Sequence, residues 1–296
     1  MSGKRIATLP KMDGGVARRM WRVLEPFHAV TYFSDESRQA FNDAGLRGFW
    51  MGYFAGRAAP MGPVGPGVVT ATFYGFRHSM VARALPDAWT FATVTDVLTA
   101  RLHGVDRALR RQLGDGVHSP EIAEAAGLSR AAAEAADRAG RPLYAANADL
   151  PWPAEAHLVL WQATTLLREH RGDGHVVALA AAGLDGCESH VSMAATGGLG
   201  REVLQSNRGW TDEEWDAAVR RLQARGWLDE AGNVTDAGNV GRREIERRTD
   251  ELALEPWNAL GDDKADRLAE LASPIVQRLV DSGAFPVPNP IGVPSS

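Results

Sequence analysis

Residues 208–235 constrain the fold of this chain more than any other segment. Thr211 precedes a run of apolar residues at helical spacing, which predicts a capped amphipathic helix that stops at Gly226. Two short apolar segments around the turn at Gly232 then predict a tight hairpin. Helix, glycine and hairpin in this order are typical of a winged helix-turn-helix module, in which the helix reads DNA and the hairpin is the wing.

The start of this predicted recognition helix disfavours DNA binding. Its first turns carry four carboxylates, Asp212, Glu213, Glu214 and Asp216, where contacts to phosphates and bases call for Arg, Lys, Asn or Gln. Over residues 201–255, thirteen carboxylates outnumber nine arginines and there is no lysine, whereas a duplex-binding face is normally positive. We therefore do not expect nucleic acid to be a partner.

Composition indicates a globular protein with a large core. The chain has 296 residues, 45% of them hydrophobic, and a net charge of −5, which predicts two domains, residues 1–150 and 151–296, with a linker-like break near residue 150. No run of about eighteen apolar residues and no signal peptide are present, which predicts a cytoplasmic protein without a membrane partner. Cys187 is the single cysteine, which excludes an internal disulfide.

Most segments have helical spacing, and several positions predict breaks. Pro26 should end or kink the first helix, and Gly127 should divide residues 121–139 into two helices that superficially resemble a helix-turn-helix. Residues 68–76 fit either a strand or a short helix. The long helix from residue 154 should end at residue 170, with His175 at the start of the next one. The chain closes with a proline-rich segment, residues 286–290.

Six segments together resemble a known family. They are Arg-Ala-Ala-Pro-Met-Gly-Pro (57–63), Phe-Tyr-Gly-Phe (73–76), Ala-Leu-Pro-Asp-Ala-Trp (84–89), Ala-Ala-Gly-Leu-Asp-Gly (181–186), Arg-Gly-Trp-Thr (208–211) and Thr-Asp (249–250). Their combination resembles the SalK-type actinobacterial family of helix-turn-helix-like proteins, some of them encoded near natural-product pathways. The abundance of Ala, Arg and Gly is also typical of a high-GC genome. The resemblance covers about residues 15–292 and implies no reaction.

The pattern at residues 211–235 and the resemblance together predict a mainly α fold. It should have two winged-helix-like (helix-turn-helix) halves with a small β-hairpin wing, and the halves should meet around residues 50–90. A ligand pocket is expected where the halves meet, because concave apolar sites tend to form between domains. The predicted lining residues are Tyr53, Arg57, Phe73, Tyr74, His78 and Trp89 from the first half, and His175 and His190 from the second.

Four of these positions have competing interpretations. Arg57 follows an aromatic helix and precedes a proline-glycine loop, so it could bind an anionic ligand group or satisfy loop carbonyls. His175 and His190, with Glu188, could instead form a site for zinc or ferrous iron, although their spacing matches no known ligand motif. His78 could be a general base or a core residue.

Three functions follow as hypotheses. The first is a small-molecule-binding protein on a repurposed winged-helix scaffold, in natural-product biosynthesis, with its cofactor unknown. The second is a ligand-responsive transcription regulator of the MarR-like type, working as a homodimer. Its positive face would come from Arg220, Arg221, Arg225, Arg242 and Arg243. The third is an enzyme that uses the His/Glu cluster with or without a metal. No P-loop, Gly-Xaa-Ser-Xaa-Gly elbow or dinucleotide motif is present.

Overall fold

The computed structural model describes residues 15–283 and Phe285, and their regular structure is helical. The proline-rich segment predicted at residues 286–290 lies outside the described residues. Nine α-helices precede residue 150: α1 (Gly15–Phe33), α2 (Asp35–Asp43), α3 (Gly48–Ala58), α4 (Pro66–Phe73), α5 (His78–Ala82), α6 (Ala88–Phe91), α7 (Val94–Leu113), α8 (Pro120–Glu134) and α9 (Pro142–Ala148).

Seven further α-helices follow, and two 3₁₀ turns, Ala59–Met61 and Gly114–His118, complete the regular structure of the described residues. The seven helices are α10 (Ala156–Ala181), α11 (Gly186–Ala195), α12 (Arg201–Arg208), α13 (Asp212–Ala224), α14 (Asp236–Leu252), α15 (Glu255–Leu260) and α16 (Asp262–Asp281). Helix α10 is the longest and contacts α1, α7, α8, α9 and α14. None of the described helices is both long and apolar enough to cross a membrane.

The predicted β-hairpin wing is wrong, and with it the winged-helix interpretation of the two halves. Helix α13 is present and Thr211 caps it as predicted, but the described residues contain no β-strand. Only an isolated antiparallel bridge joins Leu228 to Val234. The arms are too short for a ladder, because α13 ends at Ala224, the chain turns at Gly226, and Thr235 is already the N-cap of α14.

Three predicted helix ends are absent: α1 does not end at Pro26, α8 is not divided at Gly127, and α10 does not end at residue 170. Helix α1 continues through Pro26 to Phe33, because every residue from Leu24 to Thr31 is buried and this packing outweighs the missing hydrogen bond. Helix α8 is continuous through Gly127, so the helix-turn-helix resemblance there fails. Residues 68–76, which fitted either a strand or a helix, lie mostly in α4.

Helix α10 does not end at residue 170 either, and His175 lies within it. Asp173 uses its carboxylate to accept hydrogen bonds from the backbone N–H groups of Leu143 and Tyr144 at the start of α9, both at 3.0 Å. Gly174 leaves room for Arg141, which a Cβ would overlap. Asp173 and Gly174 therefore do not interrupt α10. They form the point at which α9 and Arg141 pack against it.

The core consists of three clusters of buried apolar side chains. The first lies among α1, α7, α8, α10, α15 and α16 and includes Phe27 and Trp161. The second lies among α2–α7 and includes Phe54. The third packs α11, α12 and α13 against the end of α10 and includes Trp215. The domain boundary expected near residue 150 stays a prediction.

Candidate functional site

A pocket opens among α1, α2, α3, α7 and α10. We call it the central pocket; the space between its lining atoms, open solvent included, is about 550 Å³. Its aromatic lining is Tyr32, Phe41, Phe49, Tyr53 and Trp161. Its polar and charged lining is His28, Thr31, Arg38, Arg57, Arg101, Thr165 and Glu169. Aromatic walls with a few convergent polar groups are typical of a small-molecule site.

Arg57 forms a two-pronged ion pair with Glu169 on α10. Its Nε and Nη2 atoms each donate a hydrogen bond to one carboxylate oxygen at 2.9 Å, and its guanidinium lies 4.1 Å from the centre of the Phe73 ring. Arg168 adds a third contact to Glu169 at 2.9 Å. Burial raises the pKa of Glu169, but Arg168 and Arg57 outweigh it and hold that pKa well below its ordinary value. Glu169 is therefore charged at neutral pH.

Arg101 is a buried cation without a carboxylate partner among the described residues. Its Nη1 donates to the carbonyl of Gly56 at 3.2 Å and to Oδ1 of Asn147 at 3.3 Å. Its guanidinium also lies 5.4 Å from the ring centre of Trp161. The residue is 8% exposed, and burial lowers its pKa to about 10. Arg101 is thus still charged at neutral pH.

His28 links two hydroxyl groups beside these charges. Its Nδ1 lies 2.9 Å from Oγ1 of Thr165, and its Nε2 lies 3.0 Å from the hydroxyl of Tyr32. Oγ1 of Thr165 also lies 2.9 Å from the carbonyl oxygen of Trp161. Burial, followed by the nearby charge of Arg168, lowers the pKa of His28 well below its ordinary value, so the imidazole is neutral.

Only part of the predicted lining reaches this pocket. Tyr53 and Arg57 line it, and Phe73 packs against Arg57. His78 instead lies 3.0 Å from Oγ1 of Thr70 through Nδ1 and faces solvent. Trp89 donates its indole N–H to the carbonyl of Val64 at 2.9 Å. A loop carbonyl is therefore satisfied by Trp89, and neither interpretation of Arg57 anticipated its pairing with Glu169.

Tyr74 and His190 hold the two halves of the chain together. The hydroxyl of Tyr74 donates to the carbonyl of Leu184. The carbonyl of Gly75 accepts from His190 Nε2 at 3.1 Å and from the Trp210 indole at 3.0 Å. Burial lowers the pKa of His190 to about 3, so it is neutral. These contacts bring together three of the segments that carry the family resemblance, residues 73–76, 181–186 and 208–211.

His175, Glu188 and His190 do not form a metal site. Nδ1 of His175 lies 2.9 Å from Oγ1 of Thr249, and burial lowers the pKa of His175 to about 4. Glu188 caps α11 and pairs with Arg221 at 2.9 Å. No group of three His, Cys, Asp or Glu side chains in the described part of the chain is arranged to hold a metal ion.

The sequence-based prediction missed the residues of α1 and α10 that line the central pocket. His28 and Tyr32 are four residues apart on α1, and Thr165 and Glu169 are four apart on α10, so each pair lies on one helix face. Polar pairs at this spacing inside two otherwise buried helices were the available signal. Arg101, on α7, carried no comparable signal.

Helices α12 and α13 form a helix-turn-helix unit joined by three residues. Gly209 ends α12 in the left-handed conformation with φ 78°, and Thr211 caps α13. Three of the four acidic residues at the start of α13 have partners within the described structure. Arg201 contacts Asp212 at 2.8 Å and Asp216 at 3.0 Å. Arg77, at the start of α5, contacts Glu214 at 2.8 Å.

Comparison with known proteins gives one match. A family model described as a helix-turn-helix family matches residues 17–286. Neither the curated proteins nor the solved structures contain a match.

Proposed function

Because the chain belongs to this helix-turn-helix family, we propose that its helical scaffold serves to bind a small anionic aromatic molecule in the central pocket. The observation that carries the proposal is Arg101, a buried cation without a carboxylate partner in the described structure, at the wall of an aromatic pocket. A SalK-type role in natural-product biosynthesis belongs to the same proposal and rests on the six sequence segments alone.

The charges around the pocket favour an anion. Three arginines and two carboxylates are buried or nearly buried there: Arg57, Arg101, Arg168, Glu25 and Glu169. One positive charge of this set is therefore not compensated by a carboxylate. Burial also raises the pKa of Glu25, so that this carboxyl group compensates the arginines less. An uncompensated buried charge is costly, so an anionic ligand group near Arg101 would lower the free energy of the bound protein.

The walls of the pocket favour a flat ring. Tyr32 and Tyr53 lie with their ring centres 5.2 Å apart, and Phe49 and Tyr53 are stacked at 6.2 Å. Phe49 is 37% exposed although it lines the pocket, which puts it at the opening. Aromatic rings at such distances offer faces and edges for another ring.

Benzoate and benzamide test the charge requirement as a matched pair. Both carry one ring and a planar group, but only benzoate is anionic at pH 7. We expect benzoate to bind about tenfold more tightly, because a charged hydrogen bond is worth more than a neutral one. Isothermal titration calorimetry or ligand-observed NMR measures the two dissociation constants.

Arg101→Met tests the residue that carries the proposal. It removes the unpaired cation and keeps much of the side-chain volume, so we expect the fold to remain and the preference for benzoate to disappear. Arg267→Met is the matched control, because it removes the same charge from an exposed pair with Glu124. Equal binding of benzoate and benzamide by the native protein, or equal effects of the two variants, would overturn the proposal.

A ligand-responsive transcription regulator is the second candidate, favoured by the family and by the α12–α13 unit. Three of the five arginines expected on its positive face have internal partners: Arg221 pairs with Glu188, Arg225 donates to the carbonyl of Gly183, and Arg242 pairs with Glu246. A gel-shift assay with the DNA upstream of the protein's own gene at moderate salt decides between the candidates. Tight, sequence-selective binding would favour the regulator.

A further inference from the structure

We propose that Tyr32 presents a hydrogen-bond acceptor, and not a donor, to the central pocket, and that the ligand is therefore a hydroxylated aromatic carboxylate. This inference rests on the proposed function and adds the second polar group of the ligand. It follows from the hydrogen-bond direction among Thr165, His28 and Tyr32 in which the Thr165 hydroxyl donates to the carbonyl of Trp161.

The hydrogen-bond direction is set by the carbonyl group of Trp161. Oγ1 of Thr165 lies 2.9 Å from the carbonyl oxygen of Trp161, four residues earlier in α10. A carbonyl oxygen only accepts, so the Thr165 hydroxyl donates its single proton there. Toward His28, Thr165 can then only accept. Thr165 is 3% exposed.

This direction also decides which ring nitrogen of His28 carries the proton. Nδ1 of His28, at 2.9 Å from Oγ1 of Thr165, must carry a proton in order to donate. A neutral imidazole has one N–H, so Nε2 of His28 has only a lone pair. Burial keeps the imidazole neutral, since it lowers the pKa of His28 well below the ordinary value.

Tyr32 completes the sequence. Its hydroxyl lies 3.0 Å from Nε2 of His28 and donates its proton to that lone pair. The phenolic oxygen then offers only lone pairs to any other partner. Because Tyr32 lines the central pocket together with Arg57 and Arg101, a ligand meets an acceptor close to cations. A hydroxyl donor and a carboxylate on one ring satisfy both.

Tyr32 is a positioning residue in this account, because a proton transfer from it to His28 is unfavourable. Burial raises the pKa of the Tyr32 hydroxyl, and burial lowers the pKa of His28. Both shifts keep the proton on the tyrosine oxygen. The three residues therefore fix an orientation and do not supply a base.

The test compares ring substituents on a carboxylate. The probes are benzoate, 3- and 4-hydroxybenzoate, and the two corresponding methoxybenzoates, which accept but cannot donate. We expect one hydroxybenzoate to bind the native protein about tenfold more tightly than both benzoate and its own methyl ether. If benzoate binds and neither hydroxyl improves the affinity, this inference fails and the proposed function stands. If no carboxylate binds, both fail.

Two variants distinguish the effect of the hydrogen-bond direction at Tyr32 from the effect of the shape of the pocket. Tyr32→Phe removes the acceptor, so the hydroxyl preference should vanish: in this variant the hydroxybenzoate should bind no more tightly than benzoate or its own methyl ether. Thr165→Val removes the acceptor for Nδ1 of His28, so the proton should move to Nε2 and the Tyr32 hydroxyl should turn toward the pocket as a donor. In Thr165→Val we expect the hydroxyl and methoxy probes to bind about equally. A hydroxyl preference that survives in either variant would overturn the inference.

Discussion

At the scale of single residues, the central pocket depends on charges removed from water. The side chain of Glu169 is 1% exposed and that of Arg57 is 10% exposed, and they share two hydrogen bonds. Loss of Arg57 would remove both of these hydrogen bonds from the buried Glu169 carboxylate and leave it with its contact to Arg168, and weakening the compensation of a buried charge costs more than the pair itself contributes. Arg57 is thus a structural residue as well as part of the pocket wall.

Arg57→Met should therefore lower the free energy of unfolding by roughly 3 kcal/mol. Arg130→Met is the control, because its pair with Glu134 is exposed and should contribute less than about 1 kcal/mol. Urea unfolding followed by circular dichroism measures both values. Equal losses in the two variants would contradict the importance of the buried pair.

The neutral histidine at the junction of the halves predicts a pH dependence. Burial lowers the pKa of His190 to about 3, below the ordinary 6.5 that it regains on unfolding. As the pH falls below about 6.5, the unfolded chain takes up the proton first, so the folded state loses roughly 1.4 kcal/mol per pH unit from this group.

His190→Gln isolates that contribution, because the glutamine amide can still donate to Gly75 while it cannot titrate. The other groups, including Asp173, whose pKa burial raises to about 7, act equally in both proteins. Between pH 6.5 and 4 the native protein should lose stability relative to the variant. Parallel stability curves would show that His190 titrates normally in the folded protein.

At the scale of elements, close backbone contacts fix how α4 meets α11. A Cβ on Gly186 would overlap the carbonyl oxygen of Tyr74, and one on Gly75 would overlap the His190 ring. Glycine is required at both positions for lack of space. This explains why residues 73–76 and 181–186 both contain glycine, and it could not be derived from either segment alone.

Gly186→Ala should destabilise the protein by about 2 kcal/mol, because the backbone of Tyr74 or the ring of Trp210 must move to admit the methyl group. Gly127→Ala is the matched control: it lies exposed in α8 with nothing near its Cβ position, and should stabilise by roughly 0.5–1 kcal/mol. Thermal unfolding of the two variants gives opposite shifts of Tm. Shifts of the same sign would contradict the packing described here.

Helices with local signals could be predicted from the sequence, whereas their boundaries often could not. Ser34 and Thr211 cap α2 and α13 as expected, because a cap is decided by a few adjacent residues. Helix ends were predicted at Pro26 and at residue 170, but α1 and α10 continue through both positions because of their tertiary packing. The wing failed for a different reason: its turn closes, but the flanking helices leave too few residues for strands.

At the scale of the whole molecule, the central pocket combines helices that are far apart in sequence. Tyr53 and Arg57 could be chosen from the sequence because aromatic and proline-glycine segments flank them. Glu169 and Arg101 could not, because nothing local shows that α7 and α10 bring them to Arg57. His78, Trp89 and His175 were plausible by residue type, but each has a hydrogen-bond partner outside the pocket.

Binding of an anionic aromatic molecule in the central pocket is the central claim, and amide-resolved NMR of the full chain during a benzoate titration tests it most directly. The largest saturable shift changes should fall around Tyr32, Arg57, Arg101 and Thr165, with little change in α13. Saturable changes centred on α12 and α13, or none at any benzoate concentration the protein tolerates, would contradict the account.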